Sequence, residues 1–87
     1  MRKHFILYGS VQGVGLRYRA FHAANHFGVT GYVKNLDDYS VEMELEGSEA
    51  DIDNVFLLIE RGTFIRIENM DVRTVPDQGS RTFEIRD

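Results

Sequence analysis

Apolar residues recur along the chain with two periods, one typical of strands and one typical of helices. Alternation, or a short wholly apolar run, predicts β-strands at residues 3–8, 30–35, 40–46 and 65–75, and around Phe83 and Ile85. Stripes at helical spacing predict helices from Leu16 to Phe27 and between Ser48 and Gly62, with Gly28 and Gly62 as the expected C-terminal caps.

Two details of this pattern are informative. In residues 40–46 the apolar side chains Val41, Met43 and Leu45 alternate with three glutamates, which predicts a strand with one buried and one polar face. In the fourth strand the alternation slips between Ile67 and Met70, which predicts a β-bulge or a break there.

The order of these elements is β-α-β-β-α-β followed by a short strand, and it predicts an α+β fold. Two right-handed βαβ units joined by a hairpin form the ferredoxin-like sandwich. We therefore expect an antiparallel sheet with both helices on one face and a largely solvated opposite face, which carries Glu42, Glu44 and Glu46. No linker or repeat divides the 87 residues, so we expect a single domain over residues 1–87.

The composition narrows the class of ligand. The chain has no cysteine, which excludes disulfides, thiolate metal sites and a cysteine nucleophile. No apolar run is long enough to span a membrane and no signal peptide is visible, so we expect a cytoplasmic protein that binds no membrane. The formal net charge of -4 argues against a nucleic-acid partner but allows a small anionic ligand.

Residues 9–17, Gly-Ser-Val-Gln-Gly-Val-Gly-Leu-Arg, connect the first strand to the first helix and are called the glycine loop below. Its glycines allow several backbone N–H groups to converge beside a helix N-terminus, which suits a tetrahedral anion. Arg17 adds a planar set of donors for phosphate oxygens. A glycine-rich turn beside a surface arginine remains the alternative, since the loop matches neither the P-loop nor the dinucleotide-binding motif.

Other polar side chains invite catalytic or metal-binding interpretations that the sequence does not favour. Ser10 has no adjacent histidine or carboxylate to activate it as a nucleophile. His22 and His26 have the i, i+4 spacing of zinc ligands, but they lie opposite the apolar stripe and lack a third ligand. Asp37 and Asp38 are best explained by a solvated turn. We therefore expect no metal site.

Two motifs resemble those of the acylphosphatase family, and the resemblance extends over the whole chain. Members of that family carry Gly-x-Val-Gln-Gly-Val-x-Phe-Arg, and this chain matches it at Gly9, Val11, Gln12, Gly13, Val14 and Arg17. The second motif, Gly-aromatic-Val-Lys-Asn, is matched by Gly31, Tyr32, Val33, Lys34 and Asn35.

The resemblance implies hydrolysis of the carboxyl–phosphate anhydride of acyl phosphates, without metal or cofactor. It places the catalytic arginine at Arg17 and the catalytic asparagine at Asn35, although an asparagine at the end of a strand is often only a turn former. The expected partners are a small-molecule acyl phosphate and, as ligands, inorganic phosphate or sulfate, and we expect a monomer. Substrate binding is expected at Ser10, Val11, Gln12, Gly13, Val14, Gly15 and Leu16.

The chain departs from the family pattern at two positions. Leu16 replaces an aromatic residue at a core-facing helix position, so we expect repacking with function retained. Tyr39 replaces a glycine after Asp38, and a tyrosine is strained there if the turn needs a positive φ.

Two other functions remain as alternatives. One is a non-catalytic accessory domain, like the acylphosphatase-like domain of hydrogenase maturation factors; a chain that ends at Asp87 favours the free-standing enzyme. The other is an RNA-binding module on the same fold, which the exposed glutamates of residues 42–46 disfavour because they repel phosphates.

Overall fold

The computed structural model describes residues 1–87, and its seven elements follow the predicted order. The strands are β1 (Arg2–Ser10), β2 (Thr30–Asn35), β3 (Val41–Glu46), β4 (Arg66–Val75) and β5 (Phe83–Arg86). The helices are α1 (Leu16–Phe27) and α2 (Glu49–Glu60). The ferredoxin-like arrangement predicted from the sequence is confirmed. Neither helix is long and apolar enough to cross a membrane.

The five strands form one sheet in the order β4-β1-β3-β2-β5. Four of them pair antiparallel, as expected, but β5 joins the edge of β2 in parallel register, so the sheet as a whole is mixed. The reason is the path of residues 76–82, which reverse the chain after β4 and carry it to the opposite edge. Because β4 runs antiparallel to β2, a reversed strand there must run parallel to it.

The core lies between the sheet and the two helices. Val41, Met43 and Leu45 of β3 are completely buried, as the alternation predicts. They meet the apolar stripes of the helices, formed by Leu16, Ala20, Ala23 and Ala24 in α1 and by Ile52, Val55 and Ile59 in α2. The expected repacking around Leu16 is consistent with its side chain being 1% exposed.

The helix ends follow the sequence with one exception. Ser48 caps α2 by accepting a hydrogen bond from the N–H of Asp51, and Gly28 ends α1 in the left-handed conformation. Gly62 is not the left-handed cap that we expected. Arg61 ends α2 in the right-handed conformation, and Gly62 allows close packing instead, since a Cβ there would lie 2.5 Å from Ile65 Cδ1.

A β-bulge interrupts the pairing of β1 with β4 where the alternation slips. Tyr8 pairs with Asn69 and Gly9 with Ile67, so Glu68 is the extra residue. Gly9 has φ 127°, and a side chain there would collide with the backbone of β4. The bulge therefore requires glycine where the glycine loop begins.

The sheet face opposite the helices is less solvated than expected, because an ion-pair network fills it. Arg2 is 2% exposed, and its guanidinium donates to Glu44 at 2.6 Å and to Glu46 at 3.0 Å. It also donates to the Ser80 hydroxyl at 2.8 Å, which holds residues 76–82 over this face.

Glu46 depends on this segment in turn. The N–H of Gln78 donates to its carboxylate at 2.7 Å, and the N–H of Gly79 donates at 3.0 Å. The hydrogen bond from Gln78, together with those from Arg2 and Gly79, holds the pKa of the Glu46 carboxyl below its usual value.

This network predicts a pH dependence of stability. A carboxyl whose pKa is lowered by folding stabilises the protein above the pKa of the unfolded chain, and this contribution is lost as the pH falls through the folded pKa. The free-energy deficit of Glu46→Gln relative to the wild type should therefore shrink as the pH falls below about 4.5. Urea denaturation between pH 6 and pH 3 measures it. Glu60→Gln, on the exposed face of α2, is the control, and a deficit independent of pH would contradict the prediction.

The turn between β2 and β3 contains the one residue other than glycine with positive φ. Tyr39 has φ 70°, and its N–H donates to the Leu36 carbonyl at 3.2 Å. Its side chain is 78% exposed, so packing gives little in return for this strained backbone.

We predict that Tyr39→Gly leaves the free energy of unfolding unchanged or raises it by up to about 1 kcal/mol. Relief of the left-handed strain opposes the greater entropy that glycine gives the unfolded chain. The matched control is Asp37→Gly, at a neighbouring exposed position without positive φ, which should lower stability by about 0.5–1 kcal/mol. Thermal and urea melts measure both variants, and equal losses would contradict the strain argument.

Candidate active site

A cleft of about 260 Å³ lies where the glycine loop meets the ends of β2 and β5. It brings together Arg17 and Asn35, which come from α1 and from the last position of β2. The cleft is lined by Val11, Gly13, Gly15, Leu16, Arg17, Tyr18, Asn35 and Ile85. The two side chains chosen from the sequence therefore share one cavity.

The backbone of the glycine loop supplies the donors of this cleft. Gly13 and Gly15 have φ 72° and 79°, and a Cβ on either would meet open space, so the backbone conformation is what favours glycine here. The N–H groups of residues 11–15 donate to no other backbone or side-chain group of the protein.

The start of α1 continues this set of donors. Gly15 caps the helix without a side-chain hydrogen bond, and the first turn contains no acidic residue. The first N–H groups of α1 are therefore free, and the helix dipole places partial positive charge beside the loop. Unpaired donors and this charge together make an anion-binding site.

The side chain of Arg17 is held by the C-terminus of the chain. One guanidinium nitrogen, Nη1, donates to the Arg86 carbonyl at 3.2 Å and lies 3.6 Å from the Asp87 carboxylate. The side chain is 34% exposed, so donors remain available toward the cleft. Strand β5 thus orients the arginine that the sequence had linked only to the glycine loop.

Asn35 offers an acceptor with no protein partner. Its side-chain oxygen Oδ1 is buried, yet it accepts no hydrogen bond within the protein. A buried polar atom without a partner is costly, and such atoms cluster at functional sites. Oδ1 can accept a hydrogen bond from a water molecule in the cleft.

Gln12 faces away from this cleft. Its amide nitrogen Nε2 donates to the Leu36 carbonyl at 2.7 Å and to the Ser40 carbonyl at 2.9 Å. These hydrogen bonds tie the glycine loop to the turn that follows Asn35. The side chain therefore positions the two halves of the site, and only its backbone N–H is left for ligand binding.

The remaining residues expected to bind substrate lie at different depths. Val11 and Leu16 are each 1% exposed, so they form the floor of the cleft. Ser10 pairs with Arg66 at the end of β1 and does not line the cleft. Val14 lines a neighbouring groove, described below. Substrate binding by these residues stays a prediction.

Two lining residues were missed from the sequence. Tyr18, on α1, is 66% exposed, and Ile85, on β5, is 41% exposed. The position of Tyr18 directly after Arg17 was an available signal. Ile85 had none, because the sequence does not reveal that β5 pairs with β2.

The histidines and aspartates set aside above stay outside the cleft. His22, His26 and Asp37 are exposed. Hydrogen bonds from the hydroxyl and the N–H of Ser40 lower the pKa of Asp38, which marks a turn-forming carboxylate. No three His, Asp or Glu side chains cluster as metal ligands. Independence of a metal stays a prediction about the reaction.

Known proteins resemble this chain in sequence and in structure. The family model described as Acylphosphatase matches residues 3–85. An acylphosphatase of Geobacillus thermodenitrificans is 45% identical over 83 residues, which cover 88% of this chain and 86% of that protein.

Two crystal structures extend the comparison. An acylphosphatase from Bacillus subtilis superposes with a TM-score of 0.89 at 31% identity, over 99% of this chain and 98% of that one. Full-length HypF, in a phosphate- and nucleotide-bound form, contains a similar region with a TM-score of 0.88 at 28% identity, over 99% of this chain and 12% of that one. The family match and the similarity to proteins of comparable length cover nearly the whole chain, which therefore belongs to the acylphosphatase family of hydrolases.

Proposed function

We propose that this chain hydrolyses the carboxyl–phosphate anhydride of acyl phosphates, with Arg17 binding the phosphoryl group and Asn35 positioning the attacking water. The observation that carries the proposal is the shared cleft, in which Arg17 and Asn35 face the same cavity beside unpaired N–H donors. The family membership of the chain supports the same reaction.

The glycine loop acts on the phosphoryl oxygens. The free N–H groups of residues 11–15 and the uncapped start of α1 surround the anion, and Arg17 adds a cation at the rim. Phosphoryl transfer depends mainly on positioning and electrostatic stabilisation. These groups therefore favour both the bound substrate and the transition state.

Asn35 acts on the water. Its amide is neutral and removes no proton near neutral pH, but its unpaired Oδ1 can accept one water hydrogen and direct the oxygen toward phosphorus. The water attacks as the bond between phosphorus and the carboxyl oxygen breaks. The carboxylate leaves without a general acid, since its pKa is about 4, and the water proton passes to the phosphate. The products are a carboxylate and dihydrogen phosphate.

A colorimetric or spectrophotometric assay with benzoyl phosphate, run with and without EDTA, tests the reaction itself. We expect hydrolysis at the same rate in both conditions. Absence of hydrolysis would favour a non-catalytic accessory or RNA-binding module on this fold. Activity lost in EDTA and restored by a divalent cation would contradict the metal-free mechanism.

Inorganic phosphate should bind the glycine loop as the reaction product. We expect competitive inhibition by phosphate and by sulfate, and a melting temperature that rises with phosphate concentration because the ligand binds the native state. Amide shifts during an NMR titration should cluster at residues 11–17. Shifts centred on residues 42–46 instead would show that the anion site lies elsewhere.

Variants of Arg17 and Asn35 separate their two roles. Arg17→Lys should raise KM and lower kcat, because an ammonium group cannot replace a planar two-pronged contact. Asn35→Ala should keep the phosphate Kd nearly unchanged while kcat falls about a hundredfold or more, the scale seen when a positioned polar group is lost. Steady-state kinetics and phosphate titrations measure both.

The control is Arg73→Lys, a similar change on β4, away from the cleft. Thermal melts confirm that each variant is folded. If Asn35→Ala loses phosphate affinity and keeps kcat, Asn35 binds substrate and does not position water.

A further inference from the structure

We propose that the groove between α1 and residues 62–65 binds the acyl group of the substrate and gives the enzyme a preference for apolar, especially aromatic, acyl phosphates. This inference rests on the proposed hydrolysis of acyl phosphates. It concerns a surface on which neither Arg17 nor Asn35 lies.

The groove adjoins the cleft directly. Its volume is about 400 Å³, and it shares Gly15 and Tyr18 with the cleft that contains Arg17. The apolar side chains along it are Val14, Tyr18, Phe64 and Ile65. A ligand whose phosphate lies in the glycine loop can therefore extend into the groove past Gly15.

The glycine loop separates the groove from Asn35. On one side, Ser10 pairs with Arg66 at the start of β4, directly after residues 62–65. On the other side, Gln12 bonds to the turn that follows Asn35. In the sheet, β4 and β2 likewise lie on opposite sides of β1, the strand that leads into the loop.

The geometry of phosphoryl transfer relates the two sides. The attacking and the leaving oxygen lie roughly in line through phosphorus. If Asn35 holds the water on its side of the loop, the carboxylate leaves on the opposite side. That side is the groove, so the acyl group attached to the leaving oxygen lies along it.

The chemistry of the groove suits an apolar occupant. Phe64 is 76% exposed and Tyr18 is 66% exposed, which is unusual for large aromatic side chains with no partner in the core. Both flank the path of the acyl group, and burial of apolar area against them would stabilise an aromatic or branched acyl chain. An acetyl group is too short to reach Phe64.

Phe64→Ala provides the test, with benzoyl and acetyl phosphate as the two substrates. The ratio of kcat/KM for benzoyl to that for acetyl phosphate should fall about five- to tenfold relative to the wild type, the range expected for lost contacts in an apolar site. Comparing ratios between variants cancels the different intrinsic reactivities of the two anhydrides. Leu57→Ala, at an exposed apolar position of α2, is the matched control and should leave the ratio unchanged.

Ile85→Ala tests the opposite direction, since Ile85 lies in the cleft with Asn35. A ratio that falls in Ile85→Ala and not in Phe64→Ala would place the acyl group beside Asn35 and overturn the proposal. An unchanged ratio in Phe64→Ala, with both substrates hydrolysed, would also overturn it while leaving the proposed function intact.

A non-hydrolysable analogue, benzoylphosphonate, gives a readout independent of turnover. Its NMR titration should shift amides of residues 62–65 in addition to those of the glycine loop, whereas inorganic phosphate should shift the loop alone. Equal patterns for the two ligands would overturn the acyl site. If the wild type hydrolyses neither acyl phosphate, the proposed function fails together with the preference derived from it.

Discussion

The hydrogen bonds of the Gln12 carboxamide hold the glycine loop against the turn between β2 and β3, and the geometry of the site depends on them. Without this attachment, the loop and Asn35 would be linked only through the core. The carboxamide also satisfies the carbonyls of Leu36 and Ser40 from the side, so the loop N–H groups need not do so. A cradle of unpaired donors can persist in a folded protein only when its backbone is fixed by other contacts.

The opposite face of the sheet shows how a small acidic protein stabilises an edge-to-edge connection. The buried guanidinium of Arg2 joins β1, β3 and the segment that crosses to β5. That segment delivers β5 to its place beside β2, and β5 in turn holds Arg17 through the Arg86 carbonyl. The same network occupies the surface on which this fold elsewhere binds RNA, and the glutamates that disfavour phosphate contacts are engaged within it.

The site is asymmetric about the glycine loop. On the side of β2 it offers a buried amide oxygen, and on the side of β4 it offers exposed aromatic rings. A hydrolase for an anhydride needs both kinds of surface, because water and the leaving acyl group approach and depart on opposite sides of phosphorus. The bulge at Glu68 lies at the junction of loop and β4, so a local irregularity of the sheet shapes the side proposed for the acyl group.

The sequence alone determined the order of elements, most of their bounds, the bulge and the pair Arg17 and Asn35, because these depend on local periodicity, glycine positions and two motifs. It did not predict the parallel pairing of β5, the burial of Arg2 or the contacts of Gln12. These depend on which distant segments meet, and a side chain carries no local signal of a partner far along the chain. The left-handed conformation of Tyr39 falls between the two, since the sequence identified the position and only the folded turn fixed its φ. Local physics thus selected the elements and the reactive residues, while long-range packing decided how they are held together.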